Sequence, residues 1–208
     1  MTRRLRGVVD RMARKKSVRL AASLFIAEME RIGKFVDSAS FSTSADEFTS
    51  WIYECAVIKA NVSFERLILS ALVGAINNDT SVLGSVLGIE LPRHLTDEVC
   101  RYLIVGNRYF DFRGRDGLIS RLREYLPEDH YLVRACKSRE HKRSLELLFT
   151  LRNLSAHESS VAKKAALKAT ERQRIASAGS WLKTQGRLEA ILDDLVKLAR
   201  EIESRAPY

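Results

Sequence analysis

The chain has 208 residues, of which 46% are apolar, so it can bury the core of one sizeable domain and is not disordered as a whole. Only 3 Pro and 10 Gly occur, and this scarcity of helix breakers favours an all-α protein. The formal net charge is +9, and the 3 cysteines form no CxxC pair, which argues against a disulfide framework or a zinc site. We expect a cytoplasmic protein.

The positive charge is concentrated at the start of the chain. The first twenty residues hold eight Arg or Lys against the single acid Asp10, which leaves only +2 of the total +9 for the remainder. We therefore divide the chain into a basic arm, residues 1–17, and one helical domain, residues 18–208. Such an arm either meets phosphate in nucleic acid or at a membrane surface, or is a solvated tail. The apolar run Ala21–Ala27 that follows is too short to span a membrane.

Two long helices are predicted next. Apolar residues recur at helical spacing over 18–36, and a polar break over 37–44 follows. Ser44 and Glu47 fit a capping box at the start of a second helix that continues to about Asn77. That helix carries two apolar stripes, one including Trp51 and the other Phe48, which predicts a central position between other helices.

The segment 78–117 is predicted to be an irregular insertion. The stretch 77–92 begins as a loop, with or without a short helix within it. A helix capped at Thr96 and running to Val105 comes next, and a turn-like segment over 106–117 ends the insertion. Arg113 and Arg115 make this last stretch basic, and both are candidate RNA contacts. A short amphipathic helix, 118–126, ends before Pro127.

Two further helices are predicted near the end of the chain. Ser160 is the expected cap of a polar helix over 161–174, in which Lys164, Lys168 and Arg172 form a basic ridge. That ridge is either a solvated face or a track for RNA phosphates. From Trp181 to Ile202 apolar residues alternate in steps of four and three, a heptad pattern for packing within the chain or against a partner helix.

The most informative stretch is the helix predicted over 140–156. Three Arg–His pairs of similar spacing occur in the chain, Arg123/His130, Arg134/His141 and Arg152/His157. Pro127 interrupts the first pair, and the run around the second, CKSREHKR, is predicted to be exposed surface. Only the third lies at the end of a strongly apolar helix.

Asn153 follows Arg152 directly and lies one helical turn from His157. A guanidinium can bind phosphate with two parallel hydrogen bonds, and an imidazole can exchange a proton at neutral pH. The three side chains thus supply what phosphate chemistry requires. The alternative is that they merely finish a helix, where His157 would suit the negative end of the helix dipole.

The sequence R-N-L-S-A-H, from Arg152 to His157, resembles the R-N-x-x-x-H signature of the HEPN superfamily. The segments Ser63–Leu67 (SFERL) and Phe110–Arg113 (FDFR) are similar to those of a larger HEPN subclass found in bacterial toxin and defence systems. The resemblance covers roughly residues 44–204 and excludes the basic arm.

The resemblance implies a HEPN-type helical bundle and a homodimeric endoribonuclease that needs no metal or cofactor. His157 would act as general acid or base, Arg152 would stabilise the phosphate, and Asn153 would orient the substrate or His157. The products would carry a 2′,3′-cyclic phosphate and a 5′-hydroxyl. An antitoxin or defence-system protein is a further expected partner. The competing hypothesis is a noncatalytic module that binds RNA or regulates a partner protein.

Overall fold

A computed structural model describes residues 15–42, 45–157 and 159–207. These residues form ten α-helices and no strand, in agreement with the all-α prediction. The helices are α1 (Val18–Phe41), α2 (Asp46–Asn78), α3 (Thr80–Leu87), α4 (Asp97–Val105), α5 (Gly114–Arg123), α6 (Tyr131–Lys137), α7 (Lys142–His157), α8 (Ser160–Thr170), α9 (Ala178–Leu182) and α10 (Arg187–Arg205). No helix in this part of the chain is both long and apolar enough to cross a lipid bilayer. Residues 1–14, most of the basic arm, lie outside the described ranges.

The first helix is longer than predicted. Ser17 caps α1 by accepting a hydrogen bond from the backbone N–H of Leu20 at 3.1 Å, and the helix then continues to Phe41, through most of the predicted break. The polar residues do not end it because Ser38 and Ser42 return their hydroxyls to backbone carbonyls three and four residues earlier. Ser44, the predicted cap of α2, lies outside the described residues, and Ala45 occupies the N-cap position of that helix.

The second helix is central, as its two apolar stripes predict. α2 packs against α1, α3, α4, α7 and α9, and most of its second half is buried. Its start is more open, since Phe48 and Trp51 stack on each other at 5.2 Å and are half-exposed. Gly179 of α9 lies so close to α2 that a Cβ there would stand 1.9 Å from the carbonyl oxygen of Ser50. Only glycine allows this approach.

The predicted irregular insertion is largely helical. α2 extends to Asn78, and Asp79 at once caps α3 by accepting from the N–H of Ser81 at 3.0 Å. Of the polar residues that suggest a loop, Asn77 is buried, and its side chain accepts from the N–H of Lys16 at 2.8 Å and donates to the carbonyl of Leu95 at 2.7 Å. The cap at Thr96 is confirmed, whereas α5 begins at Gly114, four residues before the predicted start.

The C-terminal heptad pattern is split between two helices. Gln185 and Gly186 both have positive φ, 60° and 62°, so the chain turns between α9 and α10. The remaining pattern residues, from Leu188 to Ile202, are buried within the same chain, where α10 packs on α1, α6 and α7. Packing within the chain, one of the two predicted uses, is confirmed for this part.

Two surface predictions are corrected. The helix expected over 161–174 ends at Thr170, and Glu171 then takes a left-handed conformation, so Arg172 does not continue the basic ridge. His141 was expected at the surface, yet it is 1% exposed. It precedes α7 and packs against α10, a long-range contact that no local pattern reveals.

Candidate functional site

The C-terminal end of α7 presents three polar side chains beside its buried leucines. Leu147, Leu148, Leu151 and Leu154 are buried, which leaves Arg152 half-buried and Asn153 and His157 exposed. Asn153 accepts a hydrogen bond through Oδ1 from Nη1 of Arg152 at 2.9 Å. The asparagine therefore holds one side of the guanidinium, and Arg152 keeps further donors for a ligand.

These three side chains border a cavity of about 400 Å³. Its walls come from α2, the segment that leads into α5, the end of α7 and the start of α8. The polar residues of the lining are Asn61, Glu65, Asp111, Arg113, Thr150, Arg152, Asn153, His157 and Ser159. The cavity thus joins residues nearly one hundred positions apart, from Asn61 to Ser159.

α2 contributes a buried amide and a carboxyl to the cavity. Asn61 is 2% exposed and donates from Nδ2 to Oε1 of Glu65 at 2.8 Å, one helical turn away. Burial raises the pKa of the Glu65 carboxyl, and the Asn61 hydrogen bond and the charge of Arg152 partly oppose this effect. Asp111 raises the pKa further through like-charge repulsion. Glu65 is therefore a carboxyl whose charged form is disfavoured beside a phosphate-binding candidate.

A cluster of phenylalanines positions the wall of the cavity that comes from the segment leading into α5. Phe112 packs edge-on against Phe64 of α2 at 6.5 Å and Phe149 of α7 at 5.4 Å between ring centroids, and Phe110 packs against Phe112 at 5.6 Å. Side chains alternate along this segment, so the residues between and after the rings are exposed. Asp111 and Arg113 consequently line the cavity.

The two RNA contacts predicted in the segment 106–117, Arg113 and Arg115, lie in different places. Arg113 is exposed and lines the cavity. Arg115 lies elsewhere, with its side chain 10% exposed and its guanidinium donating to the carbonyls of Lys137 and Ser138 at 2.5 and 3.2 Å. It supports the end of α6 and has few donors left for RNA.

The residues of the predicted ridge lie apart from the site. Lys164, Lys168 and Arg172 are exposed, but none of them lines the cavity. On α8 it is Val161, Ala162 and Ala165 that face the cavity. A ligand bound in the cavity would contact Lys164 and Lys168 only if it extended beyond the cavity.

Sequence reasoning did not single out Asn61, which lines the cavity, and assigned no role to Glu65 or Asp111. A usable signal exists for the first two, because a polar pair at i and i+4 on an otherwise buried helix must meet a polar partner or a cavity. No comparable local signal exists for Asp111. Its position depends on how the phenylalanines on either side of it pack.

Comparison of the chain with known protein families, curated proteins and solved structures finds no match. The site is therefore interpreted from its own chemistry. Arg152 and Arg113 can bind an anion, and His157 presents an exposed imidazole for proton transfer. Among the described residues, no group of three or more His, Cys, Asp or Glu side chains is placed to hold a metal ion.

Proposed function

We propose that the chain is an endoribonuclease of the HEPN type that acts as a toxin or as an antiviral defence effector and requires no metal. The observation that carries the proposal is the composition of one cavity. It gathers Arg152, Asn153 and His157 with Glu65 and with residues 111–113 of the FDFR segment. These are the three stretches on which the sequence resemblance rests, and they are far apart in the chain.

In the proposed reaction His157 removes the proton from a ribose 2′-hydroxyl of RNA. The 2′-oxygen attacks the adjacent phosphorus, the bond from phosphorus to the 5′-oxygen breaks, and that oxygen takes a proton from water, while His157 returns its proton to the solvent. The products are a 2′,3′-cyclic phosphate and a 5′-hydroxyl. Arg152 stabilises the negative charge that builds on the phosphate oxygens, and Asn153 keeps the guanidinium of Arg152 in position.

A second copy of the chain belongs to this proposal. Each chain carries one R-N-x-x-x-H motif, and a symmetric composite site needs two, which a homodimer supplies. The exposure of Asn153 and His157 is compatible with a partner that closes over them. An antitoxin that covers the same face would silence the enzyme, and we propose such a protein as a further partner.

The alternative function is noncatalytic RNA binding. It is favoured by the exposed Lys164 and Lys168, which lie outside the cavity and would contact phosphates without any chemistry. The two hypotheses differ in what the loss of His157 does. A binding module keeps its affinity for RNA and has no activity to lose.

The test measures cleavage of RNA in the presence of EDTA by the wild type and by His157→Ala and Arg152→Ala. We expect the wild type to cut and to leave cyclic-phosphate ends. General acid–base catalysis typically contributes a factor of about 10² to 10⁴, so His157→Ala should lose at least about a hundredfold in rate. His94→Ala is the matched control, because His94 is exposed and borders a different cavity. A wild type that binds RNA without cutting it would establish the noncatalytic alternative.

A further inference from the structure

A second cavity of about 400 Å³ adjoins the candidate site. The two cavities share Glu65, Asp111 and Arg152 in their walls, so they meet at these three residues. The second cavity lies between α2, α4 and the segment that connects α4 to α5. No residue of the sequence motif other than Arg152 borders it.

Two arginines from different helices point to the ligand of this second cavity. Arg66 of α2 and Arg101 of α4 are both exposed and both line it. Within the described part of the chain neither guanidinium makes a hydrogen bond or an ion pair. Their donors are therefore available, and a guanidinium with free donors suits a phosphate group.

An exposed aromatic ring completes the second cavity. Tyr109 is 95% exposed, although its neighbour Phe110 is half-buried against Phe112. The anchored phenylalanine fixes the backbone next to Tyr109, and Tyr109 lines the same cavity as Arg101. A tyrosine ring that no protein group covers is a surface on which an unpaired base can stack.

We propose that this second cavity is a subsite for the nucleotide next to the cut phosphate of single-stranded RNA. Arg66 and Arg101 bind the phosphate of that nucleotide, and Tyr109 stacks on its base. The volume is within the range of about 300–1000 Å³ that is usual for small-ligand cavities. The cleaved phosphate is the one that Arg152 binds in the proposed function. The position of the subsite next to the cut therefore rests on that proposed function.

The base must be unpaired to reach Tyr109, so the subsite selects single strands over duplexes. Asp111 strengthens this selection, because its exposed carboxylate lies where the two cavities meet and disfavours additional phosphates there. A single strand can place one phosphate on Arg152 and the next on the arginine pair, whereas a duplex also brings its second backbone.

The experiment measures binding in a His157→Ala background, so that RNA is not cut during the titration. The fluorescence anisotropy of a labelled single-stranded oligoribonucleotide reports affinity, with the same sequence in duplex form as the comparison. Tyr109→Ala should weaken binding of the single strand by about tenfold, given the usual contribution of base–aromatic stacking. Tyr102→Ala is the matched control, because Tyr102 is 64% exposed on α4 but does not line the cavity.

Arg66→Ala and Arg101→Ala test the phosphate contacts separately. Each should reduce the magnitude of the slope of log K against log salt concentration, where K is the association constant for RNA, by about 0.7. This is the value for one phosphate contact of a single strand. Arg134→Ala, which removes an exposed arginine on α6 away from both cavities, should leave the slope unchanged. Equal affinities of Tyr109→Ala and Tyr102→Ala, or equal binding of single strand and duplex, would overturn the subsite.

The outcome also separates this inference from the proposed function. If RNA is cut but the Tyr109 and arginine variants bind like their controls, the subsite is wrong and the enzyme proposal stands. If RNA is not cut but the variants weaken binding as described, the subsite stands and the proposed catalysis is wrong. If the protein binds no RNA, both proposals fall.

Discussion

Two histidines at opposite ends of α7 have opposite surroundings. His141, just before the helix, is 1% exposed, and its ring nitrogens lie 3.2 Å from Oδ2 of Asp194 and 3.2 Å from Oε2 of Glu201. His157, the last residue of the helix, is exposed, and its side chain makes no hydrogen bond or ion pair with the described part of the chain. Both belong to Arg–His pairs of similar spacing in the sequence.

The difference shows why such a pair does not by itself identify a catalytic residue. Both ring nitrogens of His141 lie at hydrogen-bond distance from a carboxylate oxygen of α10. That arrangement ties the start of α7 to α10 and leaves no nitrogen for a substrate. His157 keeps both nitrogens accessible, as proton transfer requires.

The largest expected effect is on the free energy of unfolding, and it distinguishes His141 from His157. His141→Ala removes the shared partner of Asp194 and Glu201, whose side chains are only 15% and 20% exposed. We expect a loss of about 3 kcal/mol in the free energy of unfolding, because the variant breaks a buried hydrogen-bond network and leaves a cavity where the ring was. Urea denaturation monitored by circular dichroism measures this loss.

His157→Ala is the matched variant for that experiment. An exposed side chain without partners should change the unfolding free energy by less than about 0.5 kcal/mol. Equal denaturation midpoints for the two alanine variants would refute the structural role of His141.

The next largest effect is on the rate of RNA cleavage, which presupposes the proposed ribonuclease activity. It concerns Asn153, the hydrogen-bond partner of Arg152. Asn153→Ala removes the acceptor that holds the guanidinium at 2.9 Å, so Arg152 gains freedom to leave the site. A hydrogen bond to a charged group contributes about 1.5–3 kcal/mol, and a loss near the lower end corresponds to about tenfold in the cleavage rate.

The cleavage rate is measured in single-turnover assays with RNA. Gln173→Ala is the control, because Gln173 is exposed beyond the end of α8 and borders neither cavity. Since Asn153 is exposed, the unfolding free energy should stay unchanged. An Asn153→Ala protein that cuts at the wild-type rate would show that Arg152 needs no orienting group.

The smallest effect is a pH dependence of stability that arises from Glu65. Burial raises the pKa of this carboxyl in the folded state, so the fold binds its proton more tightly than the unfolded chain does. The stability of the wild type therefore falls as the pH rises from the ordinary glutamate pKa, about 4.3, through the raised value. Glu65→Gln removes this cost and can still accept the hydrogen bond from Asn61.

We expect Glu65→Gln to melt slightly above the wild type at pH 7 and to lose this advantage as the pH falls below about 4. Melting temperatures measured across this range test the sign. Glu90→Gln, which changes an exposed carboxylate outside both cavities, should show no such trend. An advantage for Glu65→Gln that grows at low pH would contradict the raised pKa.

Much of the helical architecture follows from local sequence. The central position of α2, the cap at Thr96 and the end of α7 near Arg152 depend on residues within a few turns of each other. Helical periodicity and capping are local properties, so the chain reveals them directly. The serines of α1 bond to carbonyls of their own helix, which is a local effect, whereas Asn77 at the end of α2 bonds to Lys16 and Leu95, which lie far away in the chain.

The sequence by itself determined that the protein is helical and that Arg152, Asn153 and His157 share the end of an apolar helix. Only the tertiary structure decided which residues surround them. Asn61 and Glu65 reach the site because α2 packs on α7, and Asp111 reaches it because Phe112 packs between those two helices. The same long-range packing buries His141 against α10 and exposes His157. Periodicity places a residue on a face of its own helix but does not tell which other helix covers that face.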